Sequence, residues 1–328
     1  MRRREFITLL GGAAVAWPLA ARAQKPEKAW RIGQVIVGTP TTVGHLAAAL
    51  EKQLGNLGYV QGRNITLLNR FIAIPTPKAM EEAVLALIPS VDLLAVWSTV
   101  GGVAAKKFAS TIPVVFLAVG APVDVGLVES LAHPGGNMTG ITFEAATETY
   151  AKRLQILKEI MPSLSRVAVL RTQGDANVQF AMASLEKSAP ALGVTLTPID
   201  IKTADELDSA FAEMQRSQAQ ALLVIGGAVT YVNSKKIADL ALSHHLPSCH
   251  AFKETVADGG LVSVGPDLIA MTGQAAAYID KIIRGAKPAD LPVQQPTRYD
   301  VHINLKTAKA LGITVPQSLL SRADEVIE

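Results

Sequence analysis

The sequence has very little cysteine and no large excess of charge of either sign, and both features exclude several classes of protein. The single cysteine, Cys249, excludes a disulfide framework and a zinc or iron–sulfur site built from cysteines. Four of the 31 Lys and Arg residues but only one of the 28 Asp and Glu residues lie within residues 1–23, so the rest of the chain has 27 of each. That balance leaves no basic surface for nucleic acid. With 328 residues, 49% of them hydrophobic, the chain is too apolar to be disordered and has the length of two domains.

Long apolar runs are also missing beyond residue 23, where no segment reaches the roughly 18 apolar residues of a membrane-spanning helix. Residues 1–23 have the pattern of an export signal: charged residues 2–5, an apolar run over residues 6–21, and Ala21-Arg22-Ala23 as a cleavage site. Arg3-Arg4 is typical of a twin-arginine signal, with ordinary secretion as the alternative. The run of about 16 apolar residues is short for a membrane anchor, and no cysteine follows it directly to carry a lipid. We therefore expect a periplasmic protein, cleaved near Ala23 and not lipid-anchored.

Short apolar runs alternate with amphipathic stretches of helix length from residue 31 onward. Strands without polar alternation, separated by helices, predict a parallel sheet covered on both faces. The predicted order is strand 32–37, helix 44–57, strand 65–72, helix 78–87, strand 93–97, helix 101–108 and strand 114–118. The same order then begins again with strand 167–170, helix 177–189, strand 195–200, helix 204–216, strand 221–225, helix 235–243 and strand 248–250.

The two halves also share residues at a constant spacing. Residues 31–32, 50–52 and 57–58 recur as residues 166–167, 185–187 and 192–193, each pair 135 positions apart. A repeat of this size predicts an α/β protein of two similar doubly wound lobes. Ligands bind beyond the carboxyl ends of parallel strands, so the two lobes would face each other across a ligand cleft. The remaining segment, with a long helix at 267–284, would cross back between the lobes.

Three C-terminal segments resemble a known family. GAKPADLPVQQPT at 285–297, NLKTAKALG at 304–312 and RADEVI at 322–327 are similar to the ABC-transporter substrate-binding proteins related to the tryptophan- and tyrosine-binding proteins. Residues 1–12, 126–140 and 152–154 fit the same family. The resemblance implies a type I periplasmic binding fold, in which two Rossmann-like doubly wound parallel-sheet lobes are joined by three crossovers. It also implies a small-molecule ligand in the cleft and delivery to an ABC permease in the inner membrane.

On this basis we expect lobe 1 to comprise residues 24–143 plus 261–297, and lobe 2 to comprise residues 144–260 plus 298–328. We expect the protein to be a monomer. A sensory module that binds the same ligand but reports to a membrane receptor is the alternative to uptake. No nucleophile elbow, P-loop or dinucleotide-binding loop follows a predicted strand, so we expect neither an enzyme nor a cofactor.

Candidate ligand-binding residues lie where the predicted strands end. In lobe 1, the hydroxyls and backbone N–H groups at Thr39, Thr41 and Thr42 either hold a ligand carboxylate or cap the following helix. Ser98 and Thr99 offer the same groups after the third strand, and Trp97 either stacks on an aromatic ligand or fills the core.

In lobe 2, the matching loop contains Arg171, Gln173, Asp175 and Asn177, of which Asp175 or Asn177 caps the next helix. The Gly226-Gly227 pair permits close approach of backbone to a ligand. Phe252 follows the last repeated strand and either covers an apolar ligand face or belongs to the core.

Two departures from the resembled family bear on the ligand. Its amino-acid binders commonly carry an acidic residue at two loop positions that are Ala121 and Ala251 here. A buried ammonium group needs an anionic partner, because an unpaired buried charge is very costly. Arg171 at a strand end would bind a carboxylate in a bidentate way, unless it is a surface residue paired with a neighbouring acid. We therefore expect a small organic anion, aromatic or another carboxylate, rather than an amino acid.

The cluster of His244, His245, Cys249 and His250 has residue types that bind metals. Adjacent histidines at a helix end point in opposite directions, and no carboxylate is spaced to complete a coordination shell. We therefore expect no metal site.

Overall fold

The computed structural model describes residues 29–144 and 148–328; the predicted export signal and its cleavage site lie outside the described residues. In the first lobe, five parallel strands form a sheet in the order β2-β1-β3-β4-β5. The strands are β1 (Trp30–Val37), β2 (Ile65–Ile72), β3 (Leu93–Trp97), β4 (Val114–Gly120) and β5 (Met138–Glu144). The helices between them are α1 (Pro40–Asn56), α2 (Pro77–Leu87) and α3 (Thr99–Phe108).

The second lobe contains a seven-stranded sheet in the order β12-β11-β10-β9-β8-β6-β7, parallel except where β10 meets β11. The strands are β6 (Arg166–Thr172), β7 (Thr195–Ile201), β8 (Ala221–Val224), β9 (Ser248–His250), β10 (Val262–Gly265), β11 (Asp300–Asn304) and β12 (Glu325–Ile327). The later helices are α4 (Glu148–Ile160), α5 (Val178–Ser188), α6 (Leu207–Arg216), α7 (Ala228–Val232), α8 (Ser234–Ser243), α9 (Lys253–Ala257), α10 (Leu268–Ile283), α11 (Leu305–Ala310) and α12 (Gln317–Leu320).

The two lobes have equivalent topology. Strands β7-β6-β8-β9-β10 of the second sheet follow the same order as β2-β1-β3-β4-β5 of the first. The prediction of two doubly wound parallel-sheet lobes is therefore confirmed, and the common strand order agrees with the repeat seen in the sequence. Within the described residues, no helix is long and apolar enough to span a bilayer.

Several helices begin earlier than the apolar pattern predicts, because side chains cap their first turns. Helix α1 begins at Pro40 rather than at residue 44, because Thr39 and Thr42 form a capping box. The Thr39 side chain accepts a hydrogen bond from the Thr42 N–H, and the Thr42 side chain accepts one from the Thr39 N–H. Proline is favoured at such a first helical position because its missing N–H would have no intrahelical partner there. Helix α3 likewise begins at Thr99, with Ser98 as its cap.

The chain crosses between the lobes three times: between β5 and α4, between β10 and α10, and before β11. Before the third crossing, Gln294 still hydrogen-bonds the first sheet, through Gly140 and Thr142. After the second crossing, α10 packs on α1 of the first lobe, where Ala275 and Ile279 join Leu50 in the apolar core.

The second crossing comes later than the expected lobe boundary. We assigned residues 261–297 to lobe 1, but β10 pairs with β9 and β11 in the second sheet. The return to the first lobe therefore starts after Gly265 rather than at residue 261. A Cβ at Gly265 would overlap the backbone carbonyl of Ala251, so only glycine allows the chain to leave the sheet along this path.

The apolar cores of the two lobes are in contact. The cluster that fills the space between the first sheet and α10 also contains Ala251 and Phe252 of the second lobe. A second cluster of the first lobe includes Ala228 from α7. The lobes therefore meet through apolar side chains at the carboxyl ends of their strands.

Candidate ligand-binding site

An apolar cavity lies between the lobes, at the edge where the parallel strands of both sheets end. Its volume is about 490 Å³, including its mouth. First-lobe residues that line it include Ile36, Val37, Trp97 and Ala118, together with Leu268 at the start of α10. The second lobe supplies Gly227, Ala228, Tyr231 and Phe252. A narrow apolar space of this kind suits a small, flat molecule.

Three aromatic rings form a continuous wall of this cavity. The centroids of Phe143, from β5, and Phe252, from the second lobe, are 5.4 Å apart. Tyr231 of α7 packs edge-on against Phe252, also at 5.4 Å. Both separations fall in the range preferred by aromatic pairs. Because the contact between Phe143 and Phe252 joins the lobes, it depends on how closely they approach.

The polar groups at the cavity come from the end of β3 and the start of α3. Ser98 has a φ of +72°, an uncommon conformation for a residue with a side chain, and its hydroxyl caps α3 through Gly101 N at 3.4 Å. Thr99 also lines the cavity, so the positive end of the helix dipole is directed there. The indole Nε1 of Trp97 is buried and has no acceptor among the described residues. Among the described residues, the lining thus includes the hydroxyl-bearing side chains of Ser98 and Thr99 and the indole of Trp97, and no charged side chain.

Five of the residues predicted from the sequence line this cavity: Trp97, Ser98, Thr99, Gly227 and Phe252. The predicted Gly226 is adjacent and allows close packing, since a Cβ there would stand 2.7 Å from Cβ of Ala251. The two positions that lack the family's acids, Ala121 and Ala251, do not line it.

Arg171 lies outside the cavity. Its Nε and Nη2 atoms each lie 2.8 Å from an oxygen of Asp200, which is its register partner on the neighbouring strand β7. Successive side chains of a strand lie on opposite faces of the sheet. Arg171 therefore lies on the same face as Asp200 of the neighbouring strand, whereas the next residue, Thr172, lines the cleft. The alternative reading of Arg171, a surface arginine paired with an acid, therefore describes its position.

Thr41 and Thr42 are also separate from the cavity, because both are exposed on the first turn of α1. Thr42 completes the capping box with Thr39, through a 3.0 Å hydrogen bond from the Thr39 N–H to the Thr42 hydroxyl. Of the two roles considered for these threonines, the structure places Thr39 and Thr42 in helix capping.

Asn177 connects the lobes beside the cavity. It is buried, and its Nδ2 donates to the hydroxyl of Tyr150 over 2.7 Å. A Cβ at Gly120, at the end of β4, would stand only 2.5 Å from the Asn177 carboxamide carbon. The Gly120 N–H in turn donates to Thr99 Oγ1 at 3.0 Å, so Asn177 lies one residue away from the cavity lining.

The histidine and cysteine cluster is dispersed in the structure. Burial lowers the pKa of His250 to about 4, and its Nε2 lies 2.9 Å from the Ser248 hydroxyl. Burial raises the pKa of the Cys249 thiol to about 12, so it is protonated and poorly nucleophilic. Across residues 29–144 and 148–328, no group of three or more His, Cys, Asp or Glu side chains is arranged to hold a metal ion.

Sequence reasoning missed part of the lining, notably Ile36, Ala118, Phe143 and Tyr231. Tyr231 lies in the short helix α7, which no apolar periodicity marks, but it follows the strand-ending glycine pair by four residues. Ala118 reaches the cavity because the register of β4 against β5 shifts after Leu117, and Ala118 adopts a positive φ of 51°.

The two-lobed fold and the cavity between the lobes are typical of a protein that binds a small molecule. The chain belongs to the family of ABC transporter substrate binding proteins, whose family model matches residues 78–327. The family resemblance and the type I periplasmic binding fold, with its three crossovers, are confirmed. Proteins of this family are typically periplasmic or extracellular.

The chain is also similar to individual proteins. It is 25% identical over 262 residues to a tyrosine-binding protein of Clostridioides difficile, which covers 80% of this chain and 75% of that one. A conserved domain protein from Vibrio cholerae has a TM-score of 0.84 at 25% identity, covering 91% of this chain and 100% of the other. An ABC domain from Streptococcus pneumoniae in complex with L-Trp has a TM-score of 0.84 at 22% identity, covering 91% and 99%.

Proposed function

We propose that the protein is the periplasmic solute-binding component of an ABC uptake transporter and that it captures a small aromatic carboxylate. The observation that carries this proposal is the composition of the interlobe cavity: aromatic walls and hydrogen-bond donors, with no charged side chain in the lining. A flat ring fits beside Phe143, Tyr231 and Phe252. A carboxylate fits at the start of α3, where the helix dipole and the Trp97 indole N–H favour negative charge.

The absence of Arg171 from the lining does not remove this preference. Backbone N–H groups at a helix N-terminus bind carboxylates without a cationic side chain. An α-ammonium group has no such neutral substitute, because a buried charge needs an anionic partner and the described residues that line the apolar cavity include no acid.

Ligand capture would work through lobe closure. The Phe143–Phe252 contact and the contact of Asn177 with Gly120 both join the lobes and require their close approach. A ligand that touches both lobes adds contacts available only in that arrangement, and so shifts the population toward it. The permease would then recognise the closed monomer and accept the ligand.

A specific binder of aromatic amino acids is the second candidate. The tyrosine-binding relative and the structure with L-Trp favour it.

Isothermal titration of the purified protein separates the two candidates. We expect aromatic carboxylates such as benzoate and 3-phenylpropanoate to bind more tightly than tyrosine or tryptophan. Trp97→Phe should weaken carboxylate binding about ten- to a hundredfold, the value of a hydrogen bond to a charged group. Trp30→Phe, the matched control on β1 away from the cavity, should leave affinity unchanged. Tight binding of tryptophan or tyrosine without a response to carboxylates would establish the amino-acid function instead.

The transport role needs a test in cells. Deletion of the gene should abolish uptake of the labelled ligand, and restoration of the gene should return it. Uptake that persists at the original rate in the deletion strain, together with loss of a transcriptional response to the ligand, would favour the sensory alternative.

A further inference from the structure

A second and more polar cavity opens between the lobes beside the apolar one. Its volume is about 870 Å³, including its mouth. Residues 75–77 and Val100 line it from the first lobe, and Thr172 and Asp175 line it from the second. Ala228 lines both cavities, so the two spaces lie on either side of one residue.

Asp175 places a carboxylate at this boundary. Its Oδ1 accepts a 3.0 Å hydrogen bond from the Asn177 N–H, which fixes the loop before α5. Its Oδ2 would lie 2.8 Å from a Cβ at Gly227, and Gly227 lines the apolar cavity. Glycine at position 227 therefore allows this oxygen to approach closely the backbone that lines the apolar cavity.

The Asp175 Oδ2 atom has no direct partner among the described residues, and Lys202 lines the same cavity. Among the described residues, no cation lies within ion-pair distance of Asp175 and no group donates to Oδ2. Burial raises the pKa of Asp175 to about 6, so the carboxylate is mostly ionised at neutral pH in spite of its surroundings. The hydroxyl of Thr172 is buried without a partner among the described residues, and it lies 3.9 Å from the same Cβ position at Gly227. Buried polar groups are rarely left unsatisfied in proteins, which indicates that a further group pairs with Thr172 here.

The donor would lie near the ligand carboxylate. A third, smaller cavity between the lobes is lined by both Thr99, at the start of α3, and Asp175. Thr99, beside the proposed carboxylate position, and Asp175 thus border a common space. A ligand that carries a hydrogen-bond donor on the carbon next to its carboxylate would place the carboxylate near Thr99 and the donor near Asp175.

We propose that Asp175 and Thr172 form a polar subsite that takes a hydrogen-bond donor, a hydroxyl or an ammonium group, on the carbon next to the carboxylate of an aromatic acid. This inference rests on the proposed function, because the ring and the carboxylate occupy the apolar cavity. A 2-hydroxy acid satisfies the subsite without bringing a second ligand charge into the apolar cavity. Asp175 then determines specificity for substituted acids over the unsubstituted ones.

Three probes that differ in one group test the subsite: 3-phenylpropanoate, 3-phenyllactate and phenylalanine. With the unaltered protein, we expect 3-phenyllactate to bind about ten- to a hundredfold more tightly than 3-phenylpropanoate. In Asp175→Asn this ratio should fall to about one, while the affinity for 3-phenylpropanoate stays unchanged. Asn retains the acceptor for the Asn177 N–H, so a purely structural role of Asp175 predicts no change in the ratio.

Two further variants sharpen the result. Thr172→Val should reduce the ratio, whereas Thr203→Val, which alters a lining residue of the same polar cavity on another loop, should not. An unchanged ratio in Asp175→Asn overturns the subsite but leaves the proposed function standing. Tighter binding of phenylalanine than of 3-phenyllactate, lost in Asp175→Asn, supports the subsite and assigns it to an ammonium group. Absence of binding by all three probes overturns the aromatic-acid function, and the subsite with it.

Discussion

The Nη2 atom of Arg153 lies 2.7 Å from Oε1 of Glu144, and this ion pair joins the two lobes at the first crossover. Glu144 is the last residue of β5, Arg153 lies on α4, and neither side chain is exposed. The Arg153 Nε also donates to the backbone carbonyl of Val264 in β10, at 2.9 Å, next to the second crossover. One guanidinium group therefore contacts the chain at two of the three crossings.

Glu144→Gln should destabilise the protein strongly, because it leaves the Arg153 charge buried without a counter-ion. Loss of one partner of a buried ion pair typically costs about 3–5 kcal/mol. Glu81→Gln is the matched control, since Glu81 pairs with Lys107 at 2.9 Å on the surface, where such pairs contribute about 1 kcal/mol or less. Urea unfolding of both variants measures the difference. Equal losses of unfolding free energy in the two variants would show that the buried pair has no special role.

Gly120→Ala should impair ligand binding without unfolding either lobe. The added methyl group would overlap the carboxamide of Asn177, which is buried and held by Tyr150, so the lobes must separate to relieve the contact. We expect at least about a tenfold loss of affinity, equivalent to about 1.4 kcal/mol. Small-angle scattering should show a larger radius of gyration for the variant in the presence of ligand. Gly44→Ala is the control, because a Cβ there meets no atom within 4 Å. Native affinity in Gly120→Ala would mean that the lobes bind ligand without this contact.

Arg171→Ala should leave ligand affinity unchanged. Its guanidinium is held by Asp200 outside the cavity lining, and a partly exposed ion pair of this kind contributes about 1 kcal/mol or less to stability. Titration with aromatic carboxylates checks this expectation, with Trp97→Phe as the variant that should lose affinity. A tenfold loss in Arg171→Ala would return this arginine to the site, as its place at a strand end first indicated.

Sequence reasoning predicted the parts of the fold that depend on local pattern. The strand and helix order from β1 to β4 and from β6 to β9 follows from short apolar runs and amphipathic stretches, and the constant spacing of repeated residues gives the second lobe. Strand β5 was missed, because its sequence MTGITFE interrupts the apolar residues with threonine and glycine although every residue is buried. Strand β10 was placed in the wrong lobe, because its assignment depends on pairing with the distant strand β11.

The lining of the apolar cavity was predicted as far as topology determines it. Strand ends of both lobes must face the cleft, which locates Trp97, Ser98, Thr99, Gly227 and Phe252 at the cavity. Topology does not determine which of two consecutive side chains at a strand end enters the cleft. Neighbouring residues of a strand lie on opposite faces of the sheet, so an error of one residue selects the wrong face. For this reason Arg171 was predicted to line the cleft, whereas Thr172 does so in the structure. The unpartnered oxygen of Asp175 and the lobe-bridging position of Asn177 depend on three-dimensional packing that no single segment encodes.

The stability of the protein should decrease in mild acid because of His250. Burial, assisted by the charge of Arg153, lowers the pKa of His250 to about 4 from 6.5. Between these two values the unfolded chain binds a proton that the folded protein does not, so the free energy of unfolding falls as the pH falls from 6.5 towards 4. The full loss is roughly 3 kcal/mol. Above pH 6.5 the imidazole is neutral in both states and contributes no pH dependence.

Asp175 acts in the opposite direction and must be separated from this effect. Its pKa is raised by burial from 3.8 to about 6, so the folded protein binds the extra proton in that window and stability decreases as the pH rises through it.

His250→Gln retains a donor near the Ser248 hydroxyl and removes only the imidazole titration. Relative to His250→Gln, the unaltered protein should therefore lose roughly 2 kcal/mol of unfolding free energy as the pH falls from about 7 to about 5. Parallel stability curves for the two proteins over this range would exclude His250 as the source of acid sensitivity.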